Sequence, residues 1–323
     1  MNYINSIVSL RGIASLSVCI FHLALGTSTL FDANSWIRET SKFGYLGVEI
    51  FFIISGFVVP YSMMSNNFNL SKIGGFLTRR SLRVEIPYIF SILLVLSLNA
   101  ISYYILNKSV TTISFNTLIA NVFYLPDFLK LPWILPVYYT LKIEFQYYIL
   151  IGLLFTFFIS NNKFIQLGAF ASLIGLSFFD ALELFSYLPL FLIGIATFLY
   201  KVEKLDKLKF AISIIILLGI TFKLFYLEVL IVSLFSVLYI LYVKSGNRLL
   251  NFLGKISFSL YLVHIPIGGK IVNLGLRYIT KGYQEYILFL IALLTSIGAS
   301  YIFYLIIESP AQKISKKIKY NIS

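Results

Sequence analysis

Eight ionisable side chains fall inside long apolar segments of this sequence: Arg11, His22, Glu49, Arg80, Arg83, Lys142, Glu144 and His264. A charge in hydrocarbon costs about 2.5–3.5 kcal/mol on insertion scales, so each one either does chemistry or pairs with another polar group to lock a helix bundle. Arg11 and His22 are eleven residues apart. At about 100° per residue they share one helix face, about 16 Å apart along the axis. Two further segments carry Glu49 and Glu144 to a depth close to that of His22. A histidine beside a carboxylate is a general base, because the carboxylate fixes the tautomer and stabilises the imidazolium. Arg80 and Arg83 stand i, i+3 at the start of a helix and share a face. Such a pair binds phosphate through charge, bidentate donors and the helix dipole. It equally serves as a positive-inside topology signal with side chains that snorkel to the interface.

The elements that must position these groups are membrane helices. Hydrophobic residues make up 59% of the 323 positions, charged residues 12%, and the mean hydropathy is +0.89. A soluble domain carries about a quarter charged residues. Apolar runs recur along the whole chain, each close to the ~20 residues that span a bilayer core. The pattern predicts an all-α fold, a polytopic transmembrane bundle of about ten helices near 5–27, 44–63, 84–106, 138–159, 164–179, 183–200, 208–223, 226–244, 255–271 and 284–307. Between the third and fourth spans, Pro126, Pro132 and Pro136 predict a short helix and an ordered outer loop, since proline breaks helices. One domain, 1–323, with a polar tail at 311–323, is the simplest division.

The net charge of +13 does not indicate nucleic acid, because the basic residues lie in short clusters between apolar runs rather than on one face. With the N-terminus in the cytoplasm, 17 of the 26 lysines and arginines fall in inner segments and 8 in outer ones. That bias places both termini inside. Met1–Leu10 lacks a basic region, so the first apolar segment reads as a retained helix rather than a signal peptide. Cys19, the single cysteine, excludes an intrachain disulfide and reads as a small core residue. Gly47, Ser55 and Gly56 are small residues that let helices approach closely. No metal site is expected.

Five motifs together resemble the acyltransferase type 3 family of membrane acyltransferases. Arg11-Gly12-Ile13-Ala14 followed by Phe21-His22 is similar to the first-helix motif, and the segment Gly47–Phe57 around Glu49 to the second-helix signature, in which aspartate is usual at the position of Glu49. Arg80-Ser81-Leu82-Arg83 followed by Pro87 resembles the Arg-x-x-Arg element. Tyr139-Thr140-Leu141-Lys142-Ile143-Glu144 resembles a Trp-x-Leu-x-x-Glu motif, with tyrosine for tryptophan and lysine where serine is common. Leu253–His264 is similar to a late-helix signature.

The resemblance implies a multi-pass protein of a bacterial cytoplasmic membrane that uses cytoplasmic acyl-CoA, most often acetyl-CoA, to acylate a hydroxyl of a surface or lipid-linked glycan. It implies that Arg80 and Arg83, with Arg11, hold the donor phosphates. His22 would then act as general base or accept the acyl group first, and Glu144 or Glu49 would orient it or the acceptor. Tyr139, Lys142 and His264 are candidate substrate contacts, His264 alternatively capping a structural hydrogen bond. The competing expectations are a transporter or flippase for a lipid-linked saccharide, which should show two related halves with interrupted helices, and a glycan polymerase or ligase, which should show a large outer loop.

Overall fold

Apolar composition and the scarcity of interior breakers dictate helices nearly everywhere, because in lipid each backbone polar group must be satisfied within its own segment. The computed structural model describes residues 3–26, 30–32, 34–106, 113–244, 246–280 and 282–318, and these are all-helical, without strands. Lys108, Lys281, Lys319 and the end of the polar tail lie outside the described residues.

In chain order the helices are α1 (Tyr3–Phe21), α2 (Trp36–Ser41), α3 (Gly47–Ser65), α4 (Ile73–Leu106), α5 (Phe115–Val122), α6 (Pro126–Leu129), α7 (Tyr139–Phe158), α8 (Lys163–Leu176), α9 (Glu183–Lys201), α10 (Lys207–Leu224), α11 (Leu227–Tyr242), α12 (Arg248–Lys255), α13 (Ser257–His264), α14 (Lys270–Gly275), α15 (Tyr283–Phe303) and α16 (Ser309–Lys317).

The apolar segments fall on helical stretches, one of them, 255–271, broken by a π turn, and they differ in reach. Among the described residues, six helical stretches are long and apolar enough to cross a bilayer unaided: Asn5–Gly26, Trp36–Ser65, Leu70–Tyr104, Pro136–Phe158, Glu183–Lys201 and Tyr283–Lys317. The pair Arg248–Lys255 and Ser257–Gly275, bent by 64°, makes a seventh if it is one span, and Lys163–Leu176 and Leu227–Tyr242 are shorter apolar helices.

The centre of the bundle is α9, with 72% of its apolar window buried against 22% for the last helix, whose outward Leu290, Leu294 and Ile302 form a lipid-facing surface. Helices α3 and α9 meet backbone to backbone: a Cβ on Gly56 would stand 2.1 Å from the Phe191 carbonyl, and one on Gly194 would stand 2.2 Å from that of Ile53. A Cβ on Gly254 would collide with the Val8 carbonyl, so α12 lies directly on α1. Cys19 is buried in an apolar cluster with Leu23 and Leu30. The basic loops gather at one end, where Lys163 Nζ donates to the Lys204 carbonyl at 3.0 Å and Lys201 Nζ to that of Leu241 at 3.2 Å. At the other end the proline-bearing segment forms α5, α6 and a 3-10 turn (Pro136–Tyr138), pinned by Asn121. Asn121 donates to the Pro132 carbonyl at 3.1 Å and accepts from the Ile134 N–H at 2.9 Å.

Candidate active site

Helices α1 and α13 run in parallel and are tied at two levels. At the basic end Arg11 Nε donates to Ser257 Oγ at 3.1 Å, and its guanidinium lies over the Phe51 ring, 5.6 Å from the centroid. At the other level His264 Nε2 meets His22 Nδ1 at 3.2 Å. The 64° bend between α12 and α13, held by the close contact of Gly254 on α1, is what brings α13 alongside.

Both histidines stand where an α-helix passes into a π turn: His22 opens the turn His22–Gly26, and His264 directly precedes Ile265–Gly269. Pro266 supplies a local reason for the second, since it has no N–H for the carbonyl four residues back. The two π turns pack on each other. A third, Tyr304–Glu308, ends on a buried carboxylate.

The partners assign the ring protons. Val18 O lies 2.9 Å from His22 Nδ1, and Leu260 O lies 2.8 Å from His264 Nδ1. A carbonyl only accepts, so in the neutral pair both Nδ1 atoms carry hydrogen. His264 Nε2 then accepts a share of the His22 Nδ1–H, and the lone pair of His22 sits on Nε2, the position of a general base. His264 itself is wholly buried.

Towards the basic end lies a cavity, open to solvent, with about 870 Å³ of empty space in and around it. Arg11, Arg80, Arg83, Glu144 and Glu308 line it with the ring of Tyr261 and an apolar wall from α3. Arg83 and Arg11 also line an adjoining cavity with Lys255 and Gln312, and Arg80 and Arg83 a third with Arg79 and Lys316. Three openings thus converge on Arg83, whose side chain is exposed to the space between them. Arg80 is buried and held by aromatic faces, 5.7 Å above Phe76 and 5.5 Å above Tyr148.

The structure places the sequence-derived candidates in three groups. His22 and His264 touch; Arg11, Arg80, Arg83 and Glu144 share the cavity; Tyr139 and Lys142 stand at the far end on α7. Glu144 Oε1 accepts from Ser55 Oγ at 3.0 Å and from the Tyr148 hydroxyl at 2.5 Å, so this carboxylate belongs with the arginines rather than with His22. Glu49 is buried and does not line the cavity, and its Oε2 has no hydrogen-bond partner among the described residues. Lys142 Nζ bridges Asp127 Oδ2 at 2.5 Å and Glu183 Oε2 at 2.6 Å, tying α6 to α9.

Besides Asp127 and Glu183, the partners of Lys142, sequence reasoning missed two more carboxylates. Glu308, 3% exposed, accepts from the Ser259 N–H at 3.0 Å, the Ser259 hydroxyl at 2.5 Å and Gln312 Nε2 at 2.8 Å, and it faces Arg11 and Arg83 electrostatically. Glu85 lies beside Tyr124 and Tyr88 on α4. The signal for Glu308 was present: an acidic residue closing the last apolar run just before Ser309-Pro310.

Phe51 and Tyr261 both line the cavity, with ring centroids 6.2 Å apart, and the Tyr261 centroid lies 6.1 Å from that of His264. The Tyr261 hydroxyl donates to the Val137 carbonyl at 2.9 Å and sits 2.7 Å from Thr140 Oγ1.

A family model described as an acyltransferase domain matches residues 4–305, nearly the whole chain. No curated protein and no solved structure matches the chain.

Proposed function

The chain belongs to the acyltransferase type 3 family, and on that premise we propose that it is a membrane O-acyltransferase that moves an acyl group, most simply acetyl, from cytoplasmic acyl-CoA to a hydroxyl of a cell-surface or lipid-linked glycan. The observation that carries this reading is the placement, on the same two helices, of a tautomer-locked histidine pair beyond an arginine-lined cavity. A transporter has no need for that alignment.

In this reading the basic end faces the cytoplasm of a bacterial cell, with both termini there and about ten crossings of the inner membrane. Lys255, Lys316, Arg79 and Arg83 at the openings meet the donor phosphates. Arg80 and Arg11 hold the charge deeper in, and Glu308 fixes the field around them. The pantetheine arm extends through the apolar part of the cavity to Phe51 and Tyr261. The axial distance from Arg11 to His22, about 16 Å, is of the order of that arm. His22 Nε2 takes the proton from the acceptor hydroxyl, whose oxygen forms a bond to the thioester carbonyl carbon. The C–S bond then breaks, and the CoA thiolate leaves and takes up a proton. Attack by Nε2 itself, through an acyl-histidine, uses the same lone pair.

The test is transfer of label from acetyl-labelled acetyl-CoA to a panel of glycans, with the purified protein or with membranes. Wild type transfers label and His22→Ala does not. Transfer that survives His22→Ala overturns the role of His22. No transfer to any acceptor from any acyl-CoA overturns the enzyme reading in favour of a flippase.

A further inference from the structure

At the end of the bundle opposite the basic loops, a groove of about 770 Å³ is bounded by Asp127, Pro132, Trp133, Pro136, Tyr139 and Glu183. Its floor is fixed by charge. Lys142, its side chain 6% exposed, holds both carboxylates from below, while Asp127 and Glu183 keep 46% and 40% of their side chains open. Trp133 Nε1 donates to Asp127 Oδ1 at 3.0 Å, which sets the angle of the indole. The prolines stiffen the rim, and Asn121 anchors the strand of chain between them.

Three features together identify an occupant. Two aromatic rings offer flat, electron-rich faces, which suit the apolar C–H faces of pyranose rings. Two partly open carboxylates accept hydrogen bonds only, so they suit hydroxyl and amino donors. The lysine already occupies the place of a cation between them, so the three charges sum to −1, which repels uronates and phosphates.

The groove also lies against the cavity described above. Tyr139 lines the groove, and the next residue, Thr140, lines the cavity together with Tyr261. The first turn of α7 is thus the partition between the two, and a ring seated in the groove lies within a few side chains of the Tyr261–His264 contact.

We propose that this groove is the acceptor subsite and that it takes neutral or amino sugars, not acidic ones. The inference rests on the acyltransferase reading only for the word acceptor; the saccharide site stands or falls by itself.

The full chain has two tryptophans, Trp36 and Trp133, so Trp36→Phe leaves Trp133 as the sole indole reporter. In that background, in nanodiscs without donor, the probes are chitotetraose, its fully de-N-acetylated form, and tetragalacturonate. The first two should change the Trp133 emission with half-saturation at or below about 1 mM, and the third should not. Tyr139→Ala should weaken that binding by about tenfold or more. Glu183→Gln, which keeps the shape and removes a charge, should admit tetragalacturonate.

No response to any probe, or an equal response to the acidic one, overturns the proposal. So does binding unchanged by both substitutions. Binding as expected without label transfer in the acetyl-CoA assay leaves the groove and removes the acyltransferase reading. Transfer whose acceptor KM is unmoved by both substitutions does the reverse.

Discussion

Two levels, the middle of α1 at Arg11 and the π turn that follows it at His22, solve opposite problems. At Arg11 three arginines share open volume with two carboxylates, Glu144 and Glu308, and aromatic faces hold the guanidinium groups of Arg11 and Arg80, so the cations stay in excess. At His22 the arrangement is closed. Each ring Nδ1 donates to a backbone carbonyl, and the second histidine adds a contact to His22 Nδ1. A phosphate site must stay accessible and undercompensated so that the ligand supplies the missing charge. A general base must have its lone pair fixed in place before the substrate arrives. The contrast predicts that substitutions at one level change donor affinity, while those at the other change turnover.

The largest effect expected is at His22. His22→Ala should lower kcat for transfer by about 10²–10⁴-fold, the usual worth of a general base, with donor affinity unchanged. Loss of CoA binding in this variant breaks the separation of the two levels.

Next comes the double substitution Arg80→Ala with Arg83→Ala. Each charge-assisted hydrogen bond is worth about 1.5–3 kcal/mol, so the donor KM should rise by about 10–100-fold for each such bond removed, with kcat held. Equal loss of donor and acceptor affinity, measured by titration, assigns the arginines to folding or topology instead.

His264→Phe keeps the ring volume and removes the acceptor for His22 Nδ1–H. It should lower kcat by about 10–100-fold, the equivalent of one such bond, at constant donor KM. A raised donor KM shows that His264 touches substrate rather than orienting His22.

The smallest effect is at the far end. Lys142→Met leaves two partly exposed carboxylates unpaired and should cost on the order of 1 kcal/mol, read as a small fall in thermal midpoint. Unchanged stability together with weakened saccharide binding places Lys142 in recognition alone.

Much of this was legible in the primary structure, because local rules decide it. The apolar runs mark where helices form, the i, i+3 spacing puts Arg80 and Arg83 on one face, and Pro126, Pro132 and Pro136 break the outer segment into short pieces. The depth of a residue on its own helix follows from counting, so His22, Glu144 and Glu49 could be ranked along the axis. Counting does not give the azimuth of one helix against another. For that reason the count puts Glu144 at a depth close to that of His22 without saying whether they touch, and the packing shows Ser55 and Tyr148 holding it on the arginine side. The span count shows the same limit. Among the described residues, six helical stretches are long enough by themselves, and whether the shorter ones complete a crossing depends on what packs around them.

The sequence by itself determined that the chain lives in lipid, where its helices run and which few side chains have to be accommodated, since composition and short-range periodicity carry that information. Only the tertiary structure decided the pairings. His22 meets His264 across 242 positions, Arg11 meets Ser257 across 246, and Glu308 meets Ser259 across 49. These contacts follow from bends and close backbone approaches, such as the 64° break after α12 and the lie of Gly254 on Val8. A buried polar group is paid for only by the partner it reaches, and that partner is chosen by how the helices pack, not by how far along the chain it stands.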